Sequence, residues 1–286
     1  MAKAKRTSRR VFFLAGPNKP KASLVLRKLV TFSKTRCDVV GHEVGLDASR
    51  AAREAVDRIV VLGGDGTLIG VARSLGDRQR PLIGVNVGKL GYLAEFSLDE
   101  FERCFDQAIG DDRLIGIRTL LSVSVSRKGK TRHESVSVND CVIQAGPPFR
   151  MVRLGLSIDG ERLTEMAGDG IIVCTPTGST AHNLSAGGPI MQPDVDAIVV
   201  TPLCAHSLTH KPLVLGSRAV IQISAEEVND GTTAIIDGQV SCPMHDGDVV
   251  TVRRFPEALR LVRNPLYPPW HNLMTKLRWG LSPNYE

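Results

Sequence analysis

No stretch of the 286 residues approaches the roughly 18–20 apolar residues that cross a bilayer. The first apolar run, Val11–Ala15, is also too short for a secretory h-region of about 7–15 residues. The six cysteines, at 37, 104, 141, 174, 204 and 242, stand at least 30 residues apart, so no CxxC metal spacing exists. Such scattering fits reduced, buried thiols and a cytoplasmic protein. There is no internal repeat. Hydrophobic residues at 42% and charged residues at 23% exclude a disordered chain, a collagen and a small disulfide scaffold. At roughly 150 residues per domain, the length predicts two domains or one large one.

Acidic residues are missing from the first ten positions. There, Lys3, Lys5, Arg6, Arg9 and Arg10 supply five of the six net positive charges, leaving +1 for residues 11–286. Residues 1–10 read as a solvated, disordered basic tail. A nearly neutral body weighs against a nucleic-acid partner.

The first hundred residues alternate short apolar runs with helical spacing. Val11–Ala15, Val39–Val40, Ile59–Leu62 and Pro81–Val85 read as strands. Ser23–Ser33, Asp47–Asp57, Leu68–Leu75 and Leu98–Ile109 read as helices. Strands separated by helices predict a doubly wound α/β domain, residues 11–113. From about residue 114 the period becomes two, as in Leu121–Val125, Val136–Val138 and Leu154–Ile158, and long helices are absent. Further strand candidates are Ile171–Cys174, Ala197–Thr201, Ala219–Ser224, Thr233–Ile236, Asp248–Arg253 and Leu259–Val262. Residues 114–264 thus read as a β-rich domain of layered sheets. After Pro265, Pro268 and Pro269, a helix within Trp270–Trp279 is expected to return to the first domain, which adds 265–286 to it.

Two segments carry chemistry. Gly63-Gly64-Asp65-Gly66-Thr67 follows a buried strand and opens a helix. Glycines permit close backbone approach, and a helix N-terminus points N–H groups at an anion. It is neither a GxGxxG fingerprint nor a Walker A loop. Asp65 opposes an anion, so it must serve otherwise, by accepting a hydroxyl proton, holding Mg²⁺ or capping the helix. The second segment, Thr175–Pro189, packs five hydroxyl side chains and three glycines without an acid, which suits a nucleotide, sugar or phosphate. Cys204, His206 and His210 do not make a convincing metal set, because Pro202 and Pro212 oppose the helix that would align the two imidazoles.

At these segments the chain resembles the NAD kinase family, which phosphorylates the 2′-hydroxyl of the adenosine ribose of NAD. GGDGT alone is shared with diacylglycerol, sphingosine and phosphofructo-kinases. The stretch Gly168–Pro189, reading GDGIIVCTPTGSTAHNLSAGGP, is far more specific. Gly84–Leu93, Asn139-Asp140 and Pro202–Pro212 match in the family's order. The resemblance implies Asp65 as the acid that takes or orients the 2′-hydroxyl proton. It implies that Gly63, Gly64, Gly66 and Thr67 seat phosphates, and that Tyr92 lies at the NAD pocket. Asn139 and Asp140 would contact the adenosine, with Asp140 one methylene shorter than the family's usual Glu. Asp169, Thr177, Thr180, Ala181 and Ser185 match NAD-contacting positions, and His182 stands where the family usually has Tyr. Lys89 or Lys211 and the hydroxyls of Thr175–Thr180 would supplement backbone amides in binding the nucleotides. Asp237-Gly238-Gln239 resembles the family's late Asp-Gly turn, read as a turn between strands with a cofactor contact as the lesser alternative. The resemblance further implies ATP as donor, Mg²⁺ held mainly by nucleotide phosphates, a crevice between the two domains, and a homodimer or homotetramer.

Overall fold

The computed structural model describes residues 8–17, 20–88, 91–268 and 270–279. These fall into two compact units, one running to Gly116 and resuming at Arg260, the other spanning Ile117–Leu259. Residues 1–7 and Lys89, named above for their charge, lie outside the described residues.

The first unit is built on β1 (Arg10–Ala15), β2 (Asp38–Val44), β3 (Arg58–Leu62) and β4 (Leu82–Val85), interleaved with α1 (Pro20–Ser33), α2 (Ser49–Arg53) and α3 (Asp65–Leu75). Helices α4 (Leu98–Arg103) and α5 (Phe105–Gly110) follow, then β5 (Ile115–Arg118). The strands pair in parallel in the order β2-β1-β3-β4, and β3 is buried along its whole length. A parallel strand covered on both faces must be continuously apolar, which Ile59–Leu62 is. The single helix expected over Leu98–Ile109 is two: the backbone breaks at Cys104, whose thiol donates to the Glu100 carbonyl at 2.7 Å. Helix α2 is also shorter than expected. Strand β1 opens at Arg10, whose N–H donates to Asp57 at 2.7 Å, and Arg9 pairs with Asp112 at 2.8 Å. Arg9 and Arg10 thus belong with the fold.

The second unit carries β6 (Leu121–Arg127), β7 (Lys130–Ser137), β8 (Asp140–Gln144), β9 (Val152–Ile158), β10 (Glu161–Gly168), β11 (Gly170–Cys174), the short α6 (His182–Ser185), β12 (Ala197–Leu203) and β13 (Leu213–Gly216). It ends with β14 (Ile221–Glu227), β15 (Thr233–Ile236), β16 (Val240–Pro243) and β17 (Asp248–Arg254). Two six-stranded antiparallel sheets form, β10-β9-β14-β17-β6-β7 and β13-β12-β11-β8-β15-β16. One apolar core takes alternate residues from both, among them Val123, Leu154, Ile223 and Val250 from the first and Ile143, Val173 and Ile236 from the second. That is the layered β architecture expected from period-two patterning.

The final strand, β18 (Leu259–Val262), departs from expectation. It leaves the β-rich unit and pairs in parallel with β4, with β5 beyond it on the same sheet. The tail then stays on the first unit. Asn264 donates to Glu95 through its N–H at 2.9 Å and its amide at 3.1 Å, Tyr267 Oη donates to Glu100, and α7 (His271–Lys276) places Asn272 against the Tyr92 carbonyl at 3.1 Å.

Candidate active site

In the first unit, β1 and β3 are neighbours whose connections leave in opposite directions. Ligands bind at such a switch point, outside the carboxyl ends of the strands. Gly16 follows β1 and Gly63 follows β3. The Thr67 side chain fills the space between: a Cβ on Gly16 would lie 2.7 Å from Thr67 Oγ1, and one on Gly63 would overlap it. Thr67 is therefore a packing wedge as well as a loop residue. Gly64 is the extended N-cap, and Asp65 is the first helical residue rather than a cap. Gly66 is the exposed member of the loop.

Asp65 also makes contacts that sequence reading missed. Its Oδ2 accepts the Tyr92 N–H at 2.7 Å, and its Oδ1 accepts those of Leu93 and Ala94 at 3.0 and 2.9 Å. The carboxylate thus binds the turn after Gly91 to the glycine loop. A Cβ on Gly91 would collide with it. A carboxylate offers about four lone-pair positions. Three are used by these N–H groups, and the remaining one lies on Oδ2. Tyr92 is half-buried, held from one side by Asp65 and from the other by Asn272.

In the second unit, Asn139 and Asp140 sit where β7 passes into β8. The Asp140 carboxyl is almost fully buried, and burial, followed by the negative Asp237 beside it, pushes its pKa up to about 7. The sign of the linkage follows directly. The folded value exceeds the ordinary 3.8, so the protonated form favours folding, and that contribution is lost as pH rises from about 4 to 7. Asp140→Asn should therefore stabilise the protein at pH 8, by up to about 4 kcal/mol, with the gain shrinking by about 1.4 kcal/mol per unit as pH falls below 7. Thermal melts from pH 5 to 8 check this; a gain independent of pH would contradict it.

The hydroxyl-rich segment is less open to ligand than expected. Thr175 Oγ1 donates to the Val138 carbonyl at 2.7 Å and accepts the Gly178 N–H at 3.0 Å. Ser179 Oγ donates to Pro176 at 2.6 Å and accepts from Met191 N–H at 2.9 Å. These two hydroxyls shape the turn, which corrects the expectation that all of Thr175–Thr180 face a nucleotide. Thr177 Oγ1 is buried and unpartnered, and Thr180 Oγ1 makes only a long 3.4 Å bond to the Thr177 carbonyl. Ala181 donates to the Gly178 carbonyl. His182 and Ser185 are exposed at the two ends of α6. Asn183, singled out by no sequence argument, is fully buried and staples the loop: it donates to Ser179 and Pro189 carbonyls and accepts from Thr201 at 2.6 Å.

Thr175 also joins the two NAD-type segments of this unit, since its N–H donates to the Asn139 carbonyl at 2.8 Å. Asp169 is exposed between β10 and β11, its N–H bonded to Leu203 and its carbonyl to Ala145 N–H. Its carboxylate raises the pKa of the neighbouring Cys204 thiol. Among the described residues, no three His, Cys, Asp or Glu side chains cluster to hold a metal.

Comparison with known proteins follows the same two segments. Models of the ATP-NAD kinase N-terminal and C-terminal domains match residues 12–113 and 138–264. An NAD kinase from Geotalea daltonii is 42% identical over 227 residues, 79% of this chain and 80% of that protein. One from Rhodopirellula baltica is 34% identical over 271 residues, 95% of this chain and 87% of that protein. In fold, the chain is similar to the crystal structure of a yeast NADH kinase complexed with NADH. The TM-score is 0.84 at 24% identity, over 98% of this chain and 90% of that one.

Proposed function

The chain belongs to the NAD kinase family, and from that premise we propose that it transfers the γ-phosphoryl group of ATP to the 2′-hydroxyl of the adenosine ribose of NAD, giving ADP and NADP. The observation that carries the residue assignment is Asp65. It stands at the switch point of the parallel sheet, with one acceptor position left on a carboxylate otherwise held rigid by three N–H groups.

The other roles in this proposal are those the family resemblance implies. Asp65 Oδ2 accepts the 2′-hydroxyl proton and aims the oxygen at the γ-phosphorus. Phosphoryl transfer passes through a loose transition state, so positioning and charge neutralisation carry most of the catalysis. Gly63, Gly64 and Gly66 bring backbone close to phosphates, with Thr67 packing the loop. Asn139 and Asp140 receive the adenosine, Asp140 as acceptor for a ribose hydroxyl other than the reacting 2′-hydroxyl. Asp169, Thr177, Thr180, Ala181, His182 and Ser185 contact the dinucleotide, and Tyr92 packs against it. The unpartnered Thr177 Oγ1 supports this, since a buried hydroxyl without a partner costs about 1–3 kcal/mol until a ligand supplies one.

Mg²⁺, when bound, would neutralise charge on the donor phosphates. The single free acceptor position of Asp65 is taken by the 2′-hydroxyl in this reading, so the cation would be carried in on the nucleotide phosphates. We further read the enzyme as a cytoplasmic homodimer or homotetramer without a nucleic-acid partner; among the described residues no helix is long and apolar enough to cross a membrane. Sedimentation of the pure protein measures its assembly.

The test of function is a coupled assay. Pure protein with ATP, Mg²⁺ and NAD should produce NADP, read by an NADP-specific dehydrogenase. Diacylglycerol in place of NAD should give no turnover. Absence of NADP with every donor tried, or phosphorylation of the lipid instead, would overturn the reading.

A further inference from the structure

Asp237 occupies the tight turn between β15 and β16 at a φ of 52°, a left-handed conformation that Asp tolerates better than most residues. A turn aspartate with no further role would leave its carboxylate in water. This one turns inward and collects donors from four consecutive residues. Ser137 Oγ approaches at 2.8 Å, Val138 N–H at 3.1 Å to both oxygens, Asn139 N–H at 2.7 Å and Asp140 N–H at 3.2 Å. Its own N–H donates to the Asp140 carbonyl at 2.9 Å. The junction of β7 and β8 is thus wound around one anion supplied by a strand that is its neighbour only in the tertiary fold, through the β8–β15 pairing.

This arrangement does two things to Asn139-Asp140. It fixes their backbone, because two of the four donors are their own N–H groups. It also places a negative charge beside the Asp140 carboxyl, which is already short of solvation. Resting on the NAD kinase reading above, we propose that Asp237 is the positioning residue of the Asn139–Asp140 pair: it sets that pair's backbone and holds a like charge against Asp140, so that binding of the ribose becomes dependent on pH.

The proton balance is simple. Below about pH 7 the empty Asp140 carboxyl is mostly protonated, and near 7 it is about half so. A ribose hydroxyl other than the reacting 2′-hydroxyl needs an acceptor, so binding favours the carboxylate, and one proton leaves Asp140 for solvent. Among the described residues, the other titratable groups beside Asp140 are Cys174, opposite it on β11, and Cys141, next to it on β8 with its side chain on the other face of the sheet. Burial first, and the charge of Asp140 after it, raises both thiols, so neither ionises in this range. Asp237 is the remaining group whose removal should change the titration.

Two measurements test this on the full chain. In steady-state kinetics, the KM for NAD should rise as pH falls through about 7, roughly tenfold per unit once Asp140 is protonated. In Asp237→Asn the midpoint should move down, because the like charge is gone while the burial stays. A merely structural turn residue would change KM without moving that midpoint. The second measurement needs no substrate: carbon NMR of Asp-labelled protein, with the Asp140 signal assigned by its loss in Asp140→Asn, should show the same midpoint near 7. An unmoved midpoint in folded Asp237→Asn overturns the proposal. So does a wild-type Asp140 that titrates near 4, which decides the matter even where the variant fails to fold. A raised NMR midpoint in a protein that makes no NADP would instead sink the NAD kinase reading and leave the Asp140–Asp237 coupling standing.

Discussion

Asp65→Asn lowers kcat for NAD phosphorylation by about 10²–10⁴-fold, the range expected for loss of a positioned proton acceptor, and raises the KM for NAD as well. Loss of kcat is what the GGDGT motif alone leads one to expect, with NAD binding largely spared. The second effect comes from the fold. An asparagine keeps one carbonyl oxygen but presents an NH₂ where Oδ2 stood, facing the Tyr92 N–H that now lies 2.7 Å from it. Two donors face each other, and the turn carrying Tyr92 loses its anchor. A full kinetic comparison at saturating ATP separates the two effects. A variant that keeps kcat within tenfold refutes the proton-acceptor role; one that loses kcat with unchanged KM refutes the anchoring role.

Gly178→Ala is expected to damage both stability and NAD binding. Gly178 is buried, and a Cβ there would collide with the Asn139 carbonyl, a backbone atom that cannot rotate away. The Gly178 N–H is also tied to Thr175 Oγ1 at 3.0 Å, and Thr175 in turn holds Val138 and Asn139. Relief of the clash must therefore push apart the two segments assigned to NAD. Overpacking of this kind costs about 1–3 kcal/mol, which lowers Tm by several degrees in a domain of this size. The KM for NAD should rise tenfold or more. Gly216→Ala is the control, because its Cβ would meet nothing within 4 Å, and surface changes of that kind stay within about 0.5 kcal/mol. Equal melting temperatures for the two variants would contradict the account of Gly178.

Much of this protein was legible from residue types and spacing. Ile59–Leu62 is continuously apolar because it is covered on both faces. Leu121–Val125 alternates because one face meets the core and the other meets water. GGDGT needs glycine where Thr67 presses on the backbone, and that need is local enough to show in a pentapeptide. The family resemblance extended the reading to Asn139, Asp140 and the Gly168–Pro189 stretch.

What was not legible depended on partners far away along the chain. Nothing in Leu259–Val262 tells a strand of the parallel sheet from a strand of the β-rich unit; its pairing with β4 decides it. The hydroxyls of Thr175 and Ser179 look like ligand donors until their carbonyl partners are seen. Asp237 reads as an ordinary turn residue, yet its four donors lie about a hundred positions earlier, brought within reach by the pairing of β15 with β8. Composition and local pattern by themselves determined the two architectures and the chemistry of the loops, because burial period and glycine sterics act within a few residues. Only the tertiary structure decided which polar groups are already satisfied and which remain for a ligand. Hydrogen-bond partnership and charge proximity act across space, and strand pairing is what brings those groups together.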